Sequence, residues 1–325
     1  MDACKICIGP MTKHVVDAVI EFANEKNVAL GFIPSRRQIE YDPSGYTGFT
    51  TQSFSKYVRE RTENVFIERD HGGAQQGSGS DSGFASFTAD AKYFDIIHID
   101  VWKQHTDLYK CIDKTVEFIN YIYLKNPNVF YEIGTEEAIK RLDPWEIDII
   151  LKKLKERLSP EKFNNILYVV VQSGTALFKN TNVGIYDESR LKDMIDIVKN
   201  YNKKTKCHNG DYLTFEQIKH KFKLGLDCIN VAPEAGLANT EVLLDVFDKY
   251  EKELLFNSCL NSGKWKKWVD PEYDPYANQE ELIKICGHYV ANNEEVKAIT
   301  NKYTEIYKLV KENVYNKLSG ILDIK

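Results

Sequence analysis

The strongest constraint on the fold is a regular alternation between short apolar segments and longer amphipathic ones. The apolar segments are too short for buried helices and are rich in Val and Ile, as are strands buried on both faces of a parallel sheet. The segments between them repeat apolar residues at helical spacing, which predicts helices. The pattern predicts eight strands, at 5–9, 28–33, 65–73, 95–101, 128–136, 166–174, 206–208 and 226–233.

Eight strands alternating with eight helices are typical of an α/β protein that forms a (β/α)8 TIM barrel. The segment 206–208 gives the weakest strand pattern. Thr12 and Thr214 stand where helix N-caps are expected. The helices are predicted at 12–22, from 50 or 51, after 81, and at 106–124, 144–157, 187–200, 214–222 and 239–256.

The alternation ends near residue 256, and the rest of the chain has a different character. It contains Trp265 and Trp268, then a polar segment with prolines, and then two helical patterns. We therefore expect a barrel domain at 1–256. Residues 257–325 are predicted to form a helical extension that packs on the barrel or on a partner subunit.

Composition limits the possible partners. The chain has 325 residues, of which 43% are hydrophobic, and this is enough for one large core. Its net charge of -5 provides no broad positive field for nucleic acid or an anionic membrane. No apolar run approaches the roughly 20 residues that span a bilayer, and the first residues do not resemble a secretory signal. We expect a cytoplasmic protein.

The cysteine content also fits a protein of the reducing cytoplasm. There are seven of them, an odd number spread through apolar surroundings, which suits free thiols better than a disulfide framework. Cys4 and Cys7 have the spacing of a redox or zinc motif, but no second Cys pair follows. The alternative for this pair is a role as small buried apolar residues.

Polar residues are concentrated where the predicted strands end. In a barrel of this type the carboxyl ends of all strands surround one cavity, so residues distant in sequence become neighbours. These polar residues are Arg36, Arg37, Asp70, His71, His98, Asp100, Glu132, Glu136, Gln172, Ser173, His208, Asp211, Asn230 and Glu234.

Histidines with carboxylates and an amide at one cavity are suited to binding Zn²⁺ or another divalent ion with an open position for substrate. Two residues have competing interpretations. His98 lies between Ile97 and Ile99, so it is either a ligand or a buried histidine with satisfied hydrogen bonds. Glu132 faces either the cavity or a helix, because side chains alternate along a strand and Glu132 points away from the side of Tyr131. Glu136 lies beyond Gly134 in the loop and is the preferred candidate.

Two loops add candidates for binding. The glycine-rich segment 72–83 follows the predicted strand that ends in Asp70 and His71, and it is either a functional loop or a linker. Arg36 and Arg37 follow the second strand. Guanidinium groups suit carboxylate or phosphate, but the pair is equally compatible with a solvated loop.

Six short motifs follow one another in an order that resembles a known family. They lie at 45–48, 70–72, 98–100, 133–136, 171–174 and 208–212. The chain is similar, from the first strand to about residue 235, to the so-called non-catalytic subunit family of class II tagatose-bisphosphate aldolase. This family is itself similar to class II ketose-bisphosphate aldolases and ketose 4-epimerases, which implies a barrel with a divalent metal, often zinc.

The resemblance implies roles for individual residues. His71 and His208 would be metal ligands, with Glu136 and Gln172 as further ligands or substrate contacts. Asp70 would be the acid/base at the substrate hydroxyl, and Asp100 or Glu136 would serve a second catalytic position. Zn²⁺ is the expected ion, with Mn²⁺, Co²⁺ or Mg²⁺ as alternatives. The residues expected to contact substrate are Arg36, Arg37, Gln172, Ser173, Asp211 and Asn230.

The sequence departs from the aldolase pattern after His208. A Gly-Gly-Ser run is expected there to bind phosphate, whereas this chain has Asn209, Gly210 and Asp211, and a carboxylate would repel phosphate. The implied substrate is thus a ketose or ketose derivative whose anionic group, if any, is bound elsewhere.

Two activities and one rival role follow from the resemblance. The activities are aldol cleavage or condensation and 4-epimerisation, both by retro-aldol chemistry in carbohydrate metabolism. The rival is a helper that stabilises a catalytic aldolase subunit through the helical extension. A homo-oligomer is also compatible with the sequence. An aldolase that uses a Schiff-base lysine is disfavoured, because no lysine stands at a convincing strand end.

Overall fold

The computed structural model describes residues 4–324. Eight parallel strands close into a barrel in which each strand pairs with its neighbours along the chain and the last pairs with the first. The predicted (β/α)8 TIM barrel is therefore confirmed. The strands are β1 (Ile6–Ile8), β2 (Leu30–Phe32), β3 (Val65–Gly72), β4 (Ile96–Ile99), β5 (Phe130–Ile133), β6 (Ile166–Val170), β7 (Lys204–Cys207) and β8 (Cys228–Val231).

Helices surround the barrel and continue beyond it. The predicted N-caps are present, since the hydroxyls of Thr12 and Thr214 accept backbone N–H groups at the start of their helices. A small hairpin, Leu177–Phe178 with Thr181–Asn182, follows β6. The helices are α1 (Lys13–Lys26), α2 (Thr51–Arg59), α3 (Phe84–Tyr93), α4 (Leu108–Lys125), α5 (Pro144–Arg157), α6 (Pro160–Asn164), α7 (Glu188–Asn200), α8 (Phe215–Lys223), α9 (Pro233–Val246), α10 (Lys249–Ser262), α11 (Gln279–Val290), α12 (Glu294–Thr300) and α13 (Ile306–Leu322), with a 3-10 helix at Lys264–Trp268.

The helix predicted at 239–256 has different bounds in the structure. It begins at Pro233, directly after β8, and Pro is well suited to a first helical position. It ends at Val246, and Asp248 then caps α10 by accepting a hydrogen bond from the Glu251 backbone. A division at residue 256 would cut through α10. We therefore propose that the extension begins at Asp248.

The extension packs on its own barrel. Helix α13 lies against α1 and α9, and α11 lies against α9 and α10. Phe22 and Tyr315 make an edge-to-face contact with ring centroids 4.9 Å apart, and Lys311 forms ion pairs with Glu21 and Glu25. Within residues 4–324, the helices are all too short or too polar to cross a membrane.

Arg69 on β3 points out of the barrel and is completely buried. Its guanidinium donates to both carboxylate oxygens of Asp90 on α3, to the Pro34 and Ile39 carbonyls, and to the Thr51 hydroxyl. All of its donor groups are thus used. Because Arg69 precedes Asp70 and His71, this network fixes the backbone from which both side chains extend.

Replacing Arg69 should destabilise the whole fold. In Arg69→Met, the Asp90 carboxylate would remain buried without its partner, so we expect the free energy of unfolding to fall by about 3–5 kcal/mol. Denaturant unfolding followed by circular dichroism measures this change. The control is Arg157→Met, which removes an exposed pair with Asp113 and should change stability by less than about 0.5 kcal/mol. Equal effects of the two variants would contradict the assignment.

Candidate active site

A cavity of about 220 Å³ opens at the carboxyl ends of the barrel strands. The extension supplies part of its wall through Lys267, Trp268 and Tyr289, and Gln76 and Lys103 also line it. Several residues expected from the sequence to form a site meet here. They are Arg37, Asp70, His71, Glu136, His208, Asp211 and Asn230.

The end of β3 brings two consecutive side chains to this cavity. In a regular strand, Asp70 and His71 would point to opposite faces. His71 instead has a φ of 46°, and the pairing of β3 with β4 shifts register between Arg69 and Gly72. A Cβ at Gly72 would lie 2.7 Å from the His98 carbonyl oxygen, so only glycine fits at that point. This irregularity aims both the carboxylate and the imidazole inward.

Three imidazoles form a triangle below the cavity mouth. The ring centroids of His71, His98 and His208 lie 5.1–5.3 Å apart. His98 is completely buried and both of its ring nitrogens have partners: Nδ1 accepts from the His71 backbone N–H, and Nε2 lies 3.1 Å from the Gly134 carbonyl oxygen. Of the two interpretations open for His98, these contacts favour the buried histidine with satisfied hydrogen bonds.

Asp100 orients the His71 ring. Its Oδ2 lies 2.6 Å from His71 Nδ1, which leaves Nε2 as the free ligand atom, 3.7 Å from Asp70 Oδ2. Asp100 is fully buried and also accepts from the Trp102 N–H, and it does not line the cavity. The prediction of Asp100 as a catalytic group is therefore corrected to a positioning role, in the arrangement by which carboxylates support metal-binding histidines.

The carboxylates of Asp70 and Asp100 shift the pKa of His71, and the imidazoles in turn shift the pKa of Asp70. Burial alone would lower the pKa of His71, but Asp70 and Asp100 outweigh it and raise the pKa to about 10. Burial would likewise raise the pKa of Asp70, yet the neighbouring imidazoles hold it well below its usual value. Asp70 is therefore ionised at neutral pH, the form that can accept a proton.

Glu132 faces the barrel interior, so the alternative in which it faces a helix is wrong. Its Oε1 lies 2.5 Å from His208 Nε2, and its Oε2 accepts from the ammonium of Lys206 at 2.8 Å. Lys206 also donates to Glu68. Although burial opposes ionisation, Lys206 lowers the pKa of Glu132 well below its usual value. The Glu132 carboxylate thus lies directly beside the imidazole of His208.

The donor set fits a divalent cation. One ligand atom each from Asp70, His71 and His208 lie within 4.8 Å of one another, and the same holds for His98, Glu132 and His208. Two such groups share His208 and combine imidazole nitrogen with carboxylate oxygen, which is the chemistry that Zn²⁺ prefers in catalytic sites. Glu136 belongs to neither group. It lines the cavity and accepts a hydrogen bond from Asn209.

Gln172 does not point into the cavity. Its Oε1 accepts from the Leu142 N–H and from Arg190, and its Nε2 donates to the carbonyls of Thr135 and Lys140. All of its hydrogen-bonding capacity is used in this network. The prediction of Gln172 as a metal ligand or substrate contact is therefore wrong in this structure.

Arg36 and Ser173 also have structural roles instead of the expected substrate contacts. Arg36 is 2% exposed and binds Glu40, Asp81 and the Gly73 carbonyl, so it anchors the glycine-rich loop. The Ser173 hydroxyl is completely buried and accepts from the Lys221 ammonium. Neither residue lines the cavity.

Asp211 and Asn230 line the cavity in different ways. Asp211 Oδ1 accepts from the backbone N–H groups of Ala232 and Glu234, which caps the start of α9. Asn230 is 5% exposed, and its side-chain oxygen has no hydrogen-bond partner among the described residues. An unpartnered amide oxygen beside a cavity is well placed to accept a hydrogen bond from a substrate hydroxyl.

Sequence reasoning missed the roles of Glu132, Lys206 and Lys267. The signal for the first two was the period of two along each strand, because Lys206 and His208 share a face and Glu132 pairs in register with His98. No local signal marks Lys267, since its position depends on how the extension folds back.

The comparisons with known proteins give structural neighbours. No family model and no curated protein matches the chain. A solved structure of a probable tagatose 6-phosphate kinase from Sinorhizobium meliloti 1021 matches with a TM-score of 0.82 and 16% identity, covering 98% of this chain and 99% of that one. The chain shares the fold of this protein.

Two sugar enzymes match less closely. The YdjI aldolase from Escherichia coli K12 gives a TM-score of 0.62 at 13% identity, covering 98% of this chain and 91% of that one. The fructuronate-tagaturonate epimerase UxaE from Cohnella laeviribosi gives 0.70 at 12% identity, covering 99% and 81%. Such identities show the fold alone. The neighbours are consistent with the family resemblance found in the motifs.

The capping carboxyl of Asp211 should make stability depend on pH. Burial raises its pKa from 3.8 to about 7. Between these values the unfolded carboxyl is ionised while the folded one stays protonated, so this group destabilises the fold as pH rises. The stability of the natural protein minus that of Asp211→Asn should fall from about pH 4 to about pH 7 and then stay constant. Urea unfolding at several pH values measures it, and a difference independent of pH would contradict the prediction.

Proposed function

We propose that this protein is a divalent-metal-dependent enzyme that carries out retro-aldol chemistry on a ketose or ketose derivative, by aldol cleavage and condensation or by 4-epimerisation. The observation that carries the proposal is the meeting of Asp70, His71 and His208 at one cavity, with Glu132 and His98 grouped around His208 behind them. The names of two neighbours in fold, an aldolase and a sugar epimerase, support the reaction class.

His71 and His208 would hold the cation, together with the carboxylate of Glu132, which lies beside His208. Zn²⁺ suits these donors, with Mn²⁺, Co²⁺ or Mg²⁺ as alternatives. A bound cation would supply Lewis-acid polarisation of the substrate carbonyl. Asp100 binds the Nδ1 side of the His71 ring, so Nε2 is the ring atom that remains to bind a cation.

Asp70 would act as the acid/base. Its carboxylate is ionised and reaches the cavity, so it can remove the proton from the hydroxyl next to the breaking carbon–carbon bond. If the retained aldehyde rotates and the carbon–carbon bond re-forms on its opposite face, return of the proton to the new alkoxide oxygen would complete a 4-epimerisation. Release of the aldehyde, with protonation of the carbon of the other fragment, would complete a cleavage. The wall formed by Trp268 and Tyr289 would help to retain the aldehyde.

Cations at the mouth favour a substrate with an anionic group. Arg37, Lys103 and Lys267 come from three separate segments and all line the cavity. The Lys103 ammonium is held by Gln76 at 2.8 Å, and the Lys267 ammonium lies 4.3 Å from the centre of the Trp268 ring. These groups suit a carboxylate or a phosphate. They would replace the phosphate-binding backbone that the segment 209–211 lacks.

Two contacts weigh against the alternatives. The extension, which a helper subunit would use to reach a partner, packs on its own barrel through α13.

Lys206 lies inside the barrel, but it is paired with Glu68 and Glu132. Although burial favours the neutral amine, those carboxylates contribute to raising its pKa well above the usual value. A charged ammonium is not a nucleophile, so Lys206 does not suit Schiff-base chemistry.

Variants of the site separate chemistry from metal binding. Asp70→Asn should lose about 10²–10⁴-fold in turnover while retaining its metal, because it removes proton transfer. His71→Ala and His208→Ala should lose both. Turnover on a panel of ketoses, keto-sugar acids and ketose phosphates, with metal content by mass spectrometry, tests this expectation.

The control is Asp196→Asn on the exposed face of α7, which should leave turnover and metal content unchanged. Full activity in Asp70→Asn would refute the assigned base. A purified protein that binds no divalent metal and turns over no ketose on the panel would favour the helper role.

A further inference from the structure

Three cysteine thiols meet inside the barrel, away from the cavity. Cys4 precedes β1, Cys7 lies within it, and Cys228 begins β8. All three are 2% exposed or less and are free thiols. Their ligand atoms form a third cluster with metal-binding spacing in the described chain, separate from the histidine clusters. The sequence suggested only the first two, because Cys228 is brought to them by barrel closure.

The sulfur positions fit a single ion. Cys7 Sγ lies 3.6 Å from both Cys4 Sγ and Cys228 Sγ, and the remaining pair is 3.9 Å apart. Metal–sulfur bonds of about 2.3 Å at a tetrahedral angle place sulfurs about 3.8 Å apart. The triangle therefore has the size of the sulfur face of a zinc site before any side chain moves.

Tyr168 provides a second, independent observation. Its side chain is completely buried and belongs to the same packed cluster as the three cysteines. Its hydroxyl has no hydrogen-bond partner in the described structure, which is costly for a buried polar group. The hydroxyl is close enough to Cys4, Cys7 and Cys228 to interact electrostatically with all three thiols. The Lys206 ammonium, 4.8 Å from the centre of the Tyr168 ring, supplies positive charge nearby.

We propose that Cys4, Cys7 and Cys228 bind a thiophilic divalent cation, zinc by preference, in a structural site that ties β1 to β8. Binding forms three sulfur–metal bonds and releases the thiol protons to solvent. The site lies on the two strands that close the barrel, so the ion would stabilise the closure. It requires neither the histidine site nor any activity of the cavity.

Cobalt is the probe, because thiolate coordination to Co²⁺ gives a charge-transfer absorption that histidine coordination lacks. The full chain would be expressed in cobalt-supplemented medium, since the thiols are buried. The band is expected in the natural protein and in the double variant His71→Ala/His208→Ala. It should be absent in Cys7→Ser and in Cys228→Ala. Cys111→Ser, at a buried thiol on α4, is the matched control and should keep the band.

Zinc content gives the second measurement. We expect loss of one equivalent of zinc per chain in Cys228→Ala relative to Cys111→Ser, whatever the occupancy of the histidine site. The natural protein decides the question even if the cysteine variants do not fold. A folded, cobalt-grown natural protein without the charge-transfer band would overturn the proposal, and so would a band that persists in both cysteine variants.

Discussion

The buried ammonium of Lys206 is the interaction on which the rest of the site depends. It lies inside the barrel between Glu68 on β3 and Glu132 on β5, and all three side chains are at most 1% exposed. Two of the three strands that supply this cluster also carry a functional group above it: Asp70 is on β3, and His208 follows β7, the strand of Lys206. Since removing one member of a buried ionic cluster leaves uncompensated charge, the cluster fixes how these strands sit relative to one another.

Above this layer, the irregular backbone of β3 and the hydrogen bonds to the His71 ring determine which atoms face the cavity. The left-handed conformation of His71 lets two consecutive residues point inward, and Asp100 then selects which nitrogen of the ring is free. The Arg69 network on the outer face of β3 stabilises this turn. The contacts of Arg69 outside the barrel and those of Asp70 and His71 inside it thus come from three consecutive residues, 69–71.

The sequence was sufficient for the architecture, because strand length and helical period depend on local patterns. Asp70, His71 and His208, which follow or end predicted strands, line the cavity in the structure. The sequence failed where function depends on long-range hydrogen bonds. Gln172 has the composition of a ligand, but its amide is fully occupied by Leu142, Arg190, Thr135 and Lys140. Glu132 was undervalued because its inward direction follows from register, which no single segment reveals.

The proposed chemistry requires one divalent cation held by imidazoles from separate strands. Anomalous diffraction from crystals of the zinc-loaded protein, recorded on both sides of the zinc absorption edge, would locate that cation. We expect a peak at the mouth of the barrel with the His71 and His208 ring nitrogens about 2.0–2.1 Å away. Absence of a peak between these two rings, in crystals that contain zinc, would contradict it.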